Sequence, residues 1–394
     1  MKKNSKRLLF YSQYAFHKPL YLVFERVAAD FGLERFVITH EKTPMPKVYA
    51  PAGYLTHASA GLADLPGFVT VIPKDLRPEE KAALLKKEVT KIQPDFIWAH
   101  EEPDNFFVNQ MLRWYRRRQT PRIVGAVVQN IWPSQVGYRA RWQYFRRRQL
   151  WRRFDSVLAC ASKSAEAIRA YGMPESVEIL TGWLPTLSPE AVLHDERVSS
   201  LPQRKSTEFV VGFAGRITAA KGWRVLLAAM TELPEQFKCL IAGGGDEESE
   251  LRLWCQMPAI GSRAQYLGML ERDRLWGFFR EIDAFVLPSL TTPQWTEQFG
   301  AALAEAMACG VPVIGSTSGA IPEVIGDCGI VVEENNPTAL AQAIQTLASD
   351  PDQRARYAKA GRKRFEQEYS VPAYAAKVAE AFGLRAGNKS APSI

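Results

Sequence analysis

Arg216 and Lys221 stand five positions apart in a glycine-bounded turn, Gly212-Phe213-Ala214-Gly215-Arg216-Ile217-Thr218-Ala219-Ala220-Lys221-Gly222. An apolar β-type run precedes the turn and a helical pattern follows it. A loop with two cations at a helix start suits a diphosphate, because amide N–H groups and the helix dipole add to the side-chain charge. A solvated basic turn is the alternative. Gly243-Gly244-Gly245 follow the next apolar run, where only glycine allows positive φ and close backbone approach, although the Gly-x-Gly-x-x-Gly fingerprint is absent.

A sharper pattern is Glu297-Gln298-Phe299-Gly300, leading through an alanine-rich helical stretch to Glu305 and then to Gly310-Val311-Pro312-Val313-Ile314. With a helix starting near Gly300, Glu297 lies in the loop before it and Glu305 between one and two turns inside. A carboxylate accepts two hydrogen bonds, which fits a vicinal diol on a ribose or sugar ring. Two solvent-facing glutamates are the bland reading. Neither the five cysteines nor the five histidines show metal-ligand spacing, so no metal site is expected.

These residues need a scaffold. Short β-rich runs alternate with longer helical patterns, which predicts an α/β chain of parallel sheets covered by helices. Expected strands in the first half are 7–11, 36–39, 69–72, 95–99, 123–128 and 156–160; in the second, 209–213, 238–242, 264–267, 284–287, 311–314 and 329–332. The stretch 184–207 is rich in Pro, Ser and charge, as an interdomain connection should be. The reading is two doubly wound Rossmann-like domains facing across a cleft, bounded as 1–190 and 208–370. A linker spans 191–207, a helix at 371–386 returns to the first domain, and 387–394 forms a frayed tail.

Ligands in such sheets sit beyond the carboxyl ends of the strands. The 394 residues suffice for two full cores, and no run approaches the roughly 18 uncharged apolar residues of a membrane span. Scattered cysteines point to a reducing cytoplasm. Net charge is +8 and unevenly placed: residues 1–200 hold 30 Lys and Arg against 20 Asp and Glu, residues 201–394 hold 20 against 22. The excess comes from Arg113–Arg118 and from Tyr138–Phe154, the latter with seven arginines among aromatics. Such segments fit an anionic membrane surface or a pyrophosphate-linked acceptor. The aromatics of the second segment spread over several helical faces, so a partly buried helix with snorkelling arginines is the competing expectation.

The order Gly-Arg-x4-Lys-Gly, glycine-rich turn, Glu-x7-Glu, Ala-x-Gly-x-Pro-Val-Ile, then Gly319-Ala320-Ile321-Pro322-Glu323 resembles the donor half of glycosyltransferase family 4. The likeness runs from about residue 208 to 384. It implies the GT-B architecture and a retaining, metal-independent transfer from a UDP or GDP sugar, with no cofactor beyond that donor. It implies that Gly215, Arg216 and Lys221 meet the diphosphate, and that Glu305 takes the ribose. Glu297 and the backbone near Gln298, Phe299 and Gly300 would meet the transferred sugar, and the main chain at Met269 and Leu270 would read the base.

The first half matches loosely. Asn130 stands where many members carry an acceptor-side histidine. His17 and Lys18 follow the first strand without the usual Gly-Gly, and His100 and Glu101 follow the fourth; all five are acceptor-side candidates. The implied acceptor is a glycolipid, polysaccharide intermediate or small hydroxyl compound, handled in the cytoplasm, with peripheral attachment to the inner membrane face as an option. An epimerase or phosphorylase of the same architecture is one alternative. A basic nucleic-acid-binding protein is another, and it leaves Glu297 and Glu305 without a role.

Overall fold

The computed structural model describes residues 5–12, 18–40, 69–101, 105–115, 121–127, 137–182, 207–270, 272–293 and 295–385. Two units result: Met1–Pro185 together with Val371–Ile394, and Thr186–Ser370.

In unit 1 the strands are β1 (Arg7–Tyr11), β2 (Glu34–His40), β3 (Val69–Ile72), β4 (Phe96–Ala99), β5 (Arg122–Val127), β6 (Ser156–Ala159) and β7 (Glu178–Thr181). All pair parallel, in the order β3-β2-β1-β4-β5-β6-β7. The helices are α1 (Lys18–Phe31), α2 (Pro78–Ile92), α3 (Phe106–Trp114), α4 (Tyr138–Trp151) and α5 (Ser162–Ala170). Local chemistry sets the helix starts. Asn105 Oδ1 accepts from the amides of Phe107 and Val108 to cap α3, and Pro78 opens α2, where a donor-free nitrogen is harmless.

Unit 2 repeats the plan with β8 (Phe209–Ala214), β9 (Phe237–Ala242), β10 (Ala264–Gly268), β11 (Ala284–Leu287), β12 (Val313–Ser316) and β13 (Gly329–Val332), ordered β10-β9-β8-β11-β12-β13. Its helices are α6 (Trp223–Glu232), α7 (Glu248–Trp254), α8 (Arg272–Arg280), α9 (Ala301–Ala308), α10 (Ile321–Ile325), α11 (Pro337–Ser349) and α12 (Pro351–Arg364). Every residue of β8 is buried, which is why the sequence there reads as an unbroken apolar run instead of an alternation. After a π-helical turn at Phe365–Tyr369, α13 (Val371–Ala381) belongs to unit 1. Tyr374, Val378 and Phe382 join Phe10, Phe24 and Trp98 in its core, and the Ser156 hydroxyl donates to Ala381 O at 2.8 Å.

Two expectations change and one holds. β7, a four-residue strand pairing only with β6, was not expected, because only Ile179 and Leu180 give it a β signature. β12 begins at Val313 instead of 311: the Val311 amide closes the end of α9 on Ala306 O, and Pro312 has no N–H to give. In α4, Tyr138, Trp142 and Phe145 are exposed on one side and Trp151 is fully buried on the other, so the aromatics occupy different faces of a partly buried helix, as expected.

Candidate active site

Both sheets have the strand order in which ligands collect at the carboxyl ends of two strands whose crossovers leave in opposite directions. In unit 2 those strands are β8 and β11. The loop after β8 carries Gly215 to Lys221, ending in a 3-10 turn at Ala219–Lys221. The loop after β11 carries Ser289 to Gly300.

Main-chain contacts clamp the two loops together. Gly222 has φ +69°, and a Cβ there would lie 1.8 Å from Pro288 O, so only glycine permits the approach. The Leu290 amide donates to Ala220 O at 2.8 Å. The glycine turn after β9 is tied in as well: Ile217 N donates to Gly244 O at 3.0 Å, and a Cβ on Gly243, at φ +134°, would meet Gly215 O at 1.8 Å.

Lys221 Nζ lies 2.6 Å from Glu297 Oε2, with side-chain exposures of 13% and 6%. Ser289 Oγ donates to the same carboxylate oxygen at 2.8 Å, and the Trp295 ring centroid stands 5.0 Å from the ammonium. The backbone of Glu297 is fixed too, since Ala320 N donates to its carbonyl at 2.9 Å and its own amide donates to Ser318 Oγ at 3.4 Å. A buried carboxylate with a cation and a hydroxyl is a preorganised polar centre.

Glu305 is buried at 9% exposure on α9, five residues past Gly300, whose φ of +80° starts the helix. Solvent-facing glutamates are therefore not what the chain has at 297 and 305. Burial first, then the Glu305 carboxylate, push the Cys309 thiol up to about 12. Arg216 is exposed, at the start of the loop that Lys221 closes, between the main-chain anchors of Gly215 and Ile217. Among the described residues no three His, Cys, Asp or Glu side chains gather as a metal-holding group.

Residues 196–364 match the family model of the glycosyl transferases, group 1. The segment lies within unit 2 and contains every residue of the centre just described. Among curated relatives, the D-inositol 3-phosphate glycosyltransferase of Xylanimonas cellulosilytica is 29% identical over 53% of this chain and 52% of its own length. A Corynebacterium glutamicum mannosyltransferase, named as GDP-mannose-dependent and acting on a monoacylated phosphatidylinositol monomannoside, is 33% identical over 41% of this chain and 43% of its own. The chain spans about half the length of the curated relatives it matches. Among solved structures, a glycosyltransferase from Rickettsia africae aligns with a TM-score of 0.72 over 96% of this chain and 98% of its own at 18% identity. Anabaena HepE in complex with UDP-glucose aligns at 0.66, over 96% and 99%, with 19% identity. The fold is thus the GT-B type with two Rossmann-like domains.

The remaining candidates around the group 1 segment are placed as follows. Met269 is 52% exposed after β10 and Leu270 is buried, beside the Gly243 N to Gly268 O bond of 2.8 Å. Phe299 is buried against Tyr369, ring centroids 5.6 Å apart, and Gln298 is half-buried. In unit 1, His100 and Glu101 follow β4, and Ser12 Oγ donates to Glu101 Oε1 at 3.1 Å, across the β1/β4 switch. Burial holds His100 down at about 4, and its ring stands edge-on to Trp98 at 5.7 Å. Lys18 opens α1. His17 and Asn130 lie outside the described residues.

Sequence reading missed Ser12, Ser289, Trp295 and Ser318. Ser289 and Ser12 had a usable signal, a hydroxyl residue just beyond a strand's carboxyl end; Trp295 had none.

Proposed function

We infer that the protein is a retaining glycosyltransferase that moves a sugar from a UDP or GDP donor to a hydroxyl acceptor without a metal ion. The Lys221–Glu297 pair carries this reading: a buried cation, 2.6 Å from its carboxylate, at the strand switch of the group 1 segment. In the reaction the bond between the anomeric carbon and the β-phosphate oxygen breaks, and its electron pair stays with the phosphate. The acceptor oxygen bonds to that carbon and gives up its proton to the departing phosphate oxygen.

Lys221 and Arg216 supply the positive charge that the departing diphosphate needs, with the amides of the 215–222 loop behind them. As phosphate takes up Lys221, Glu297 is released to accept a hydroxyl of the sugar, while Ser289 keeps it oriented. Glu305 accepts the ribose hydroxyls. The acceptor belongs to unit 1, where Glu101 and His100 stand at the β1/β4 switch; a buried, neutral imidazole there offers a hydrogen bond without adding charge. A lipid-linked acceptor is favoured by the lipid named for the C. glutamicum relative.

Thermal-shift measurements with UDP, GDP and their sugars test the reading. A rise in melting temperature with one base, undiminished by a chelator, is expected. Stabilisation only with added metal would overturn the metal-free part, and no response to any nucleotide would overturn the whole. The anomeric configuration of the product, read by NMR, decides retention.

A further inference from the structure

Between Asp104 and Asp155 the chain carries twelve arginines, no lysine and no acidic residue. The donor chemistry uses none of them. In α4, Tyr138 is 81% exposed, Trp142 49% and Phe145 57%. Spaced by four and three positions, these rings stand within about 60° of one another around the helix. The same rotation sets Arg139 and Arg146 on one flank of the stripe and Arg141 and Arg148 on the other, all four exposed. Trp151, on the opposite side, is part of the unit 1 core.

The arginines are steadied by rings, not neutralised by acids. Arg146 stacks over Trp142 at 4.6 Å and Arg148 over Phe145 at 4.0 Å. Among the described residues none of the four flanking arginines forms an ion pair. A helix with a ring stripe between two cationic flanks has the layout of an element lying flat in an anionic interface. The rings sit at headgroup depth and the guanidinium groups meet phosphates on both sides. Arginine in place of lysine suits this, because its planar fork gives two parallel hydrogen bonds to one phosphate.

We propose that α4 docks the protein on an anionic phospholipid surface, with Trp142 and Phe145 entering the headgroup layer. A nucleic-acid strand is the lesser fit. Its single line of phosphates engages one flank, and its bases compete for rings already covered by Arg146 and Arg148.

The test is flotation of the full chain with vesicles of equal parts phosphatidylglycerol and phosphatidylcholine, with no sugar donor or acceptor present, so that it stands or falls independently of glycosyl transfer. Salt-sensitive binding to these vesicles, little binding to pure phosphatidylcholine, and a blue shift of tryptophan emission that shrinks in W142F are expected. R139Q/R141Q/R146Q/R148Q should lower the vesicle partition by up to about a thousandfold at an unchanged melting temperature. Should that variant fold poorly, R141E/R148E on one flank must still weaken binding. Unchanged partition of either folded variant, equal binding to neutral vesicles, or tighter binding to single-stranded RNA at matched phosphate concentration would overturn the proposal.

Discussion

The two strand-switch points differ in chemistry. At β8/β11 a lysine and a glutamate are buried in direct contact, fixed by Ser289 and by main-chain bonds between three loops. At β1/β4 a serine meets a glutamate at 3.1 Å beside a histidine that burial keeps neutral. Among the described residues, the β8/β11 switch holds a buried lysine in contact with a carboxylate, whereas at β1/β4 the carboxylate of Glu101 is met by a hydroxyl. The contrast fits the proposed division of labour, in which a leaving diphosphate needs fixed cations and a neutral hydroxyl acceptor needs shape and hydrogen bonds.

The largest expected effect strikes the charged end. K221M should lower turnover about 10²- to 10³-fold, as the loss of one preorganised charge does, and should destabilise unit 2 because Glu297 stays buried without its cation. Adding E297Q should restore the melting temperature but not the rate. Steady-state kinetics with calorimetry of both variants checks this; a rate restored along with stability would make the pair purely structural.

E305Q should act on affinity, weakening nucleotide binding by about 1.5 to 3 kcal/mol, as a lost charge-assisted hydrogen bond does. Titration calorimetry with the bare nucleoside diphosphate measures it.

Acid should single out unit 1. Burial lowers both His40 and His100 to about 4, against 6.5 when unfolded. Between those values the unfolded chain binds protons that the folded one refuses. Stability therefore falls as pH drops from about 6.5 toward 4, by up to about 1.4 kcal/mol per pH unit per group, and is fully present above that window. H100Q should flatten part of this slope in a melting-temperature series, and an unchanged slope would remove His100 from the explanation.

The smallest effect is expected at the rim of unit 2, where Thr291 N and Oγ1 both donate to Glu334 at 2.5 and 2.8 Å in an exposed setting. E334Q should cost no more than about 1 kcal/mol and leave turnover nearly unchanged.

Much of unit 2 was legible because its signals are local. Arg216 to Gly222 and Glu297 to Glu305 each lie within one loop and the helix beside it, so spacing alone foretells where the side chains stand. What spacing does not show is which loops meet. The Lys221–Glu297 contact joins residues 76 apart, created by a strand order that puts β8 beside β11. Ser289 follows the carboxyl end of β11, a position that singles out a hydroxyl residue, but the Lys221–Glu297 pair that it joins is set by the same strand order. In unit 1 the partners Ser12 and Glu101 each follow a strand end but stand 89 residues apart, so their pairing comes from the strand order and not from local spacing. In α4 the spacing showed aromatics on more than one face, but not that Trp151 is the one the core takes while Tyr138, Trp142 and Phe145 stay exposed, because burial is not written in residue type.

The central claim is that Lys221 exchanges its carboxylate for phosphate while Glu305 holds the nucleotide's ribose. A crystal structure with a bound nucleoside diphosphate tests it most directly. Lys221 Nζ is expected within hydrogen-bond distance of a phosphate oxygen, with Glu305 bonded to the ribose hydroxyls. A nucleotide bound elsewhere, with the Lys221–Glu297 pair undisturbed, would contradict it.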